Sequence, residues 1–180
     1  MGSDLGRERG RLSGRGNVIL IGMPGVGKSS VGVVLAKAVG LSFLDSDILI
    51  QQKTGRTLPE LIAALGPDGF LRLEEEINAG IEADNCVIAT GGSAVYGESA
   101  MRHFHEIGTV VYLAINFEDL TRRLGDLDHR GVVRKPGQTL AGLYEERRRL
   151  YERYADVTVR EGAEMRIVDS IRAIRAALAI

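Results

Sequence analysis

The residues with the clearest chemistry are Gly22-Met23-Pro24-Gly25-Val26-Gly27-Lys28-Ser29, followed by Ser30. Their spacing is G-x-x-x-x-G-K-S, the pattern of a phosphate-binding loop. Glycines at these points let backbone N–H groups face inward, where a side chain would block a phosphate. The start of the next helix adds partial positive charge at the same place. Lys28 can then reach the outer phosphates and Ser29 can ligate Mg²⁺. A nucleotide triphosphate such as ATP, carried with Mg²⁺, is the implied ligand.

Further groups could complete such a site. Asp45 and Asp47 end the stretch Leu41-Ser42-Phe43-Leu44. On a strand, two residues apart means one shared face, at the carboxyl end where open α/β sheets bind ligands. One carboxylate would serve Mg²⁺ and the other an acceptor hydroxyl. Asp47 also fits a helix N-cap. Thr90-Gly91-Gly92-Ser93 follows the apolar run Cys86-Val87-Ile88-Ala89. It reads either as backbone presented to a substrate or as a plain tight turn. Residues 125–138 hold Arg130, Arg134 and Lys135 among glycines and a proline. They are too polar for a core and too long for an ordinary connection, which suits a mobile lid over triphosphate. A solvated loop is the plainer alternative.

The elements needed to position these groups are legible in the pattern. Val18-Ile19-Leu20-Ile21 leads into the loop as a buried strand, and Val31, Val34, Leu35 and Ala38 continue it as a helix that Gly40 ends. Helices are expected at 48–53, from Leu58 with Thr57 as N-cap and Glu60 completing a capping box, and at 70–83 with Phe70, Leu73, Ile77 and Ile81 inward. Gly66-Pro67-Asp68-Gly69 reads as a turn. Strands are expected at 86–89, 109–113 and 156–159, and helices at 98–106, 117–124, 140–154 and 163–180. The helix at 140–154 carries Arg147, Arg148, Arg149 and Arg153, mostly solvated, with room for one to face a ligand. Five strands alternating with helices predict a three-layer α/β/α domain on a parallel sheet. Its parts are a tail at 1–16, one domain at 17–180, a helical substrate-binding insertion at about 47–84 and the lid at about 124–138.

Composition excludes other classes. The chain of 180 residues holds one domain with a full core, and a net charge of −1 gives no overall attraction to nucleic acid or an anionic membrane. The tail is basic at Arg7, Arg9, Arg11 and Arg15; a solvated tail is expected rather than a nucleic-acid arm. No apolar stretch is long enough to span a bilayer. Cys86 is the single cysteine, so no internal disulfide forms; a small buried residue in a reducing, cytoplasmic setting is expected. A monomer is expected.

The loop at 22–29, Phe43-Leu44-Asp45-Ser46-Asp47, Thr54-Gly55-Arg56, Gly91-Gly92 and the closing Leu150-Tyr151-Glu152 with Ala155-Asp156-Val157-Thr158-Val159 together resemble shikimate kinase. The likeness runs in order from about Asn17 to the C-terminus. It implies a P-loop kinase of the nucleoside-monophosphate-kinase-like group, transferring the γ-phosphoryl group of ATP to shikimate to give shikimate 3-phosphate. It also implies roles by position. Lys28 and Ser29 serve phosphates and Mg²⁺, with Asp45 on the metal's water shell. Asp47 binds and orients or deprotonates the acceptor hydroxyl, Gly91 and Gly92 contact the acceptor, and Arg123 lies against adenine. Arg130 is the lid arginine, and Arg147 pairs with the substrate carboxylate.

The departures from the family fall on the acceptor side. Leu71 stands where the family has the arginine that pairs with the shikimate carboxylate, and Arg72 comes one position later, about 100° around a helix. The family's Gly-Gly-Gly is Gly91-Gly92-Ser93, and its Arg-Pro-Leu-Leu is Arg130-Gly131-Val132-Val133. Losing one arginine of a carboxylate clamp costs on the order of 2–5 kcal/mol, enough to suggest a different small hydroxyl acid such as homoserine or quinate. Leu71, Arg72, Ser93 and Arg147 are therefore the candidate acceptor contacts beside Asp47, Gly91 and Gly92. A non-catalytic nucleotide-binding module is the reading from another class; it leaves Asp47 and Arg130 without a purpose. A GTPase is set aside, since no Asn-Lys-x-Asp sequence is present.

Overall fold

The computed structural model describes residues 14–124, 133, 137–162 and 166–180. Residues 1–13 of the expected tail, most of the expected lid and Arg130 within it lie outside the described residues.

Five parallel strands form one sheet in the order β2-β3-β1-β4-β5. They are β1 (Asn17–Ile21), β2 (Ser42–Asp45), β3 (Cys86–Ala89), β4 (Gly108–Ile115) and β5 (Val157–Glu161). The central strand β1 is buried along its whole length, as a parallel strand covered on both faces must be. Its register pairs Val18 with Val87 on one side and with Thr109 on the other. Asn17, fully buried at its start, donates from Nδ2 to the carbonyls of Ala83 and Ile107 and accepts at Oδ1 from the Cys86 amide. One satisfied side chain thus aligns the first residues of three strands.

The helices are α1 (Lys28–Val39), α2 (Ser46–Thr54), α3 (Leu58–Ala79), α4 (Glu98–Ile107), α5 (Phe117–Leu124), α6 (Leu140–Tyr154) and α7 (Ile167–Leu178). A larger apolar core lies around the sheet, including Leu20, Leu35, Phe104, Leu113 and Ile174. A smaller one, Ile50, Leu61, Phe70, Ile77 and Val133, holds the insertion together. The acceptor side of the site therefore has its own apolar support.

The structure corrects three expectations and narrows a fourth. Asp45 and Asp47 do not share a strand face. Asp45 ends β2 and its Oδ1 accepts from the amides of Asp47 (3.0 Å) and Ile48 (3.3 Å). It is the N-cap, which starts α2 at Ser46 and puts Asp47 in the first turn. Two helices meet within α3 at Gly66, so the break expected over 66–69 is present but narrows to one residue. Gly66 leaves helical geometry (φ 69°, ψ 171°), and the missing Pro67 N–H is tolerated at the break. The helix expected to reach residue 83 ends at Ala79. Residues 14–16, read with the tail, form a turn, in which Arg15 donates its amide to Ile107 and accepts at its carbonyl from Asn85.

Candidate active site

Chain connectivity brings the chemistry together at the carboxyl ends of β1, β2 and β3, where strand-to-helix loops converge. After β1 the chain must turn sharply under β4. A side chain at Gly22 (φ 147°) would meet the Leu113 carbonyl at 2.7 Å, so only glycine fits. The loop delivers Lys28 to the first turn of α1, where it is buried, with Nζ donating to the carbonyls of Gly22 (2.7 Å) and Met23 (3.1 Å). Burial pulls its pKa down to about 8, partly opposed by the Asp47 carboxylate. The ammonium stays charged at neutral pH.

Ser29 is next on α1, exposed, and its hydroxyl donates to Asp45 Oδ2 at 2.6 Å. A hydroxyl and a carboxylate oxygen side by side at a phosphate loop form a hard-oxygen donor pair. Such a pair suits Mg²⁺, which takes one or two carboxylates and completes its shell with water and phosphate oxygens. Asp45 thus caps α2 with one oxygen and meets Ser29 with the other.

A cavity of about 540 Å³ opens beside these groups. The P-loop supplies Pro24, Gly25, Gly27, Lys28, Ser29 and Ser30 to its wall, and α2 supplies Asp47. Helix α3 adds Leu58, Phe70 and Glu74, and the segment after β3 adds Thr90, Gly91, Gly92 and Ser93. Val133 and Arg147 close it. Burial raises the Asp47 pKa above the usual carboxylate range, against the lowering effect of Lys28. A carboxylate with that shift is a better proton acceptor than an exposed one.

The segment after β3 is tied down from below. Thr90 Oγ1 donates to the Leu20 carbonyl at 2.9 Å, and the Gly91 amide donates to Ser46 Oγ at 3.2 Å. Tyr151 donates to the Gly92 carbonyl at 2.6 Å. Arg147 is only 1% exposed, yet it faces the cavity. It donates to the Val133 carbonyl at 2.8 Å and lies 5.4 Å from the centre of the Tyr96 ring. The Tyr96 ring, the Tyr96 hydroxyl (accepting from Nε at 3.5 Å) and one carbonyl hold the guanidinium without supplying a counter-charge.

Several sequence-derived candidates stand elsewhere. Leu71 and Arg72 do not line the cavity. Phe70 and Glu74 are four apart on α3 and share its inner face, so the next two residues point away. Leu71 packs beside the smaller core and Arg72 is exposed. Gly22 and Val26 shape the P-loop without lining the cavity. Arg123 sits behind that loop, donating to the carbonyls of Val26 (3.2 Å) and Gly162 (2.5 Å).

Glu74 was missed by sequence reasoning. It lies among Arg72, Glu75 and Glu76, a run that reads as a solvated face. The available signal was its spacing of four from Phe70. It is 1% exposed, and its Oε2 accepts from Ser93 Oγ at 2.5 Å. Burial pushes its pKa up to about 7, with the Ser93 hydrogen bond opposing and the Asp47 charge reinforcing the rise.

A phosphate loop, an adjoining carboxylate of raised pKa and a buried arginine around one small cavity define an ATP-dependent small-molecule kinase. The shikimate kinase family model matches residues 24–175. The shikimate kinase of Rhizobium leguminosarum bv. trifolii is 38% identical over 156 residues, covering 85% of this chain and 79% of that one. The shikimate kinase from Acinetobacter baumannii, solved in complex with shikimate, superposes with a TM-score of 0.78 at 29% identity, covering 91% of this chain and 93% of that one. The Aquifex aeolicus shikimate kinase structure gives 0.73 at 30% identity, with coverage of 91% and 96%. The chain belongs to the shikimate kinase family.

Proposed function

We propose that the protein transfers the γ-phosphoryl group of ATP to a hydroxyl of a small carboxylate-bearing acceptor, with shikimate the leading candidate. The observation that carries this reading is that Asp47 and Arg147 line the same cavity as Lys28 and Ser29. The acceptor oxygen attacks the γ-phosphorus, the bond from that phosphorus to the ADP oxygen breaks, and Asp47 orients the hydroxyl and takes its proton. Lys28 and the P-loop amides hold the phosphates, and Arg147 holds the acceptor carboxylate. Most of the acceleration comes from positioning and charge. Ser29 and Asp45 would hold Mg²⁺, which when bound offsets charge on the phosphate oxygens. Arg123 is assigned to the adenine side and Arg130 to the phosphates, as the family resemblance implies. A monomer is part of this reading, and the buried Cys86 suits a reducing cytoplasm. No helix among the described residues is long and apolar enough to cross a membrane.

The test is an ADP-release screen over shikimate, quinate and homoserine. Turnover of shikimate supports the reading. Absence of turnover with shikimate beside strong turnover of another acceptor moves the assignment to that acceptor.

A further inference from the structure

Glu74 is a cavity-wall carboxylate on which Lys28 and Arg147 act only at longer range, and one of its oxygens is left unbonded. Its Oε2 is taken by Ser93, but Oε1 is buried and has no hydrogen-bond partner. Among the described residues no cation stands within ion-pair distance of it: the ion pairs there involve other carboxylates. A buried ionisable oxygen without a partner is expensive, and such groups are normally satisfied. The orphaned oxygen also lies beside the proposed phosphorylation point. A Cβ added to Gly91 would stand 2.7 Å from Asp47 Oδ1 and closer still to Glu74 Oε1. At the neighbouring residue, a Cβ on Gly92 would stand 3.1 Å from an Arg147 guanidinium nitrogen. Residues 91 and 92 are therefore flanked by two carboxylates at one point and a guanidinium at the next.

That arrangement favours one chemical class. A hydroxyl acid presents a hydroxyl to Asp47 and a carboxylate to Arg147, and can offer Glu74 no more than a neutral hydroxyl donor. A hydroxyl acid that also carries an ammonium group answers all three. We propose that Glu74 recognises a protonated amine, and that the cavity accepts and phosphorylates small α-amino acids with a terminal hydroxyl. This rests on the reading of the cavity as the acceptor site of a kinase, not on the choice of shikimate within it. The transfer is the same: the acceptor oxygen forms a bond to the γ-phosphorus, the bond to ADP breaks, and the hydroxyl proton goes to Asp47. Burial holds Glu74 part-protonated near neutrality, and an ammonium beside it would draw out the ionised form.

The experiment compares L-homoserine with 4-hydroxybutyrate, which differ only in the ammonium group, using the whole protein with ATP and Mg²⁺ and with shikimate as a third acceptor. ADP release and phosphorylated product are both measured. The expected kcat/KM for L-homoserine exceeds that for 4-hydroxybutyrate by at least about tenfold, as a charge-assisted contact allows. Glu74→Gln should bring that ratio close to one. A wild-type ratio near one overturns the inference, and that comparison does not depend on the variant folding. So does a high ratio that survives in Glu74→Gln. Shikimate turnover with a ratio near one sinks the inference alone. No phosphorylation of any of the three acceptors sinks both the inference and the kinase reading beneath it.

Discussion

At the donor end of the cavity the polar groups already have partners inside the protein. Lys28 rests on the carbonyls of Gly22 and Met23, and Ser29 on Asp45. At the acceptor end, Glu74 keeps one oxygen unbonded, and Arg147 is held by a carbonyl and an aromatic ring in place of a carboxylate. The donor end is built by one short stretch after β1 plus the end of β2. The acceptor end is assembled from α2, α3, the segment after β3 and α6. Phosphate recognition is thus carried by local backbone geometry, which tolerates little change. Acceptor recognition is carried by side chains from distant parts of the chain, each of which can change singly. The departures at Leu71 and Ser93 fall where the architecture permits them.

Substitutions at the two ends should separate in size and kind. Lys28→Ala removes the positive charge that acts on the transferred group and should lower kcat/KM by about a thousandfold or more. Its thermal unfolding should still be cooperative, and near-normal turnover would break the donor assignment. Asp47→Asn should lower kcat by about a hundredfold or more while ATP affinity, followed by calorimetry, changes little. If ATP affinity fell with kcat, Asp47 would belong to the donor end. Arg147→Ala should act mainly through the acceptor, at a cost on the order of 2–5 kcal/mol seen chiefly in its KM.

The contrast also has a pH signature. Glu74 holds its proton more tightly when folded than when unfolded. Its contribution to stability is therefore complete below the ordinary glutamate range, near pH 4.5, and is lost as pH rises through about 7. The loss should be on the order of 3 kcal/mol. Denaturant titrations of wild type and Glu74→Gln should show the variant gaining relative stability across that window; a pH-independent difference would mean the carboxyl is ionised throughout. The smallest effect is expected at Arg72→Ala, exposed and outside the cavity, which should change acceptor KM by no more than about twofold. A large rise would place Arg72 in the site after all.

The same division governs how much could be read from the chain. The β1–loop–α1 unit was legible because an apolar run, spaced glycines and a helical period lie side by side. So were the parallel α/β sheet and the capping box at Thr57 and Glu60. The end of β2 was not, because strand and cap compete for Asp45. Two side-chain hydrogen bonds to the next amides decide that contest, and no periodicity records them. Nor does composition show the burial of Glu74, which depends on the segment after β3 folding over α3 and presenting Ser93. Leu71 and Arg72 were drawn to the acceptor by alignment, but the face of α3 is set by Phe70 and Glu74.

The central claim is that donor and acceptor ends meet so that transfer depends on an acceptor. The most direct test mixes wild-type protein with ATP, Mg²⁺ and shikimate and counts ADP and phosphorylated acceptor together. One phosphorylated acceptor per ADP, with negligible ADP release when the acceptor is left out, is the predicted result. ADP release that is indifferent to shikimate and to every other hydroxyl acid tried, with no phosphorylated product, would contradict it.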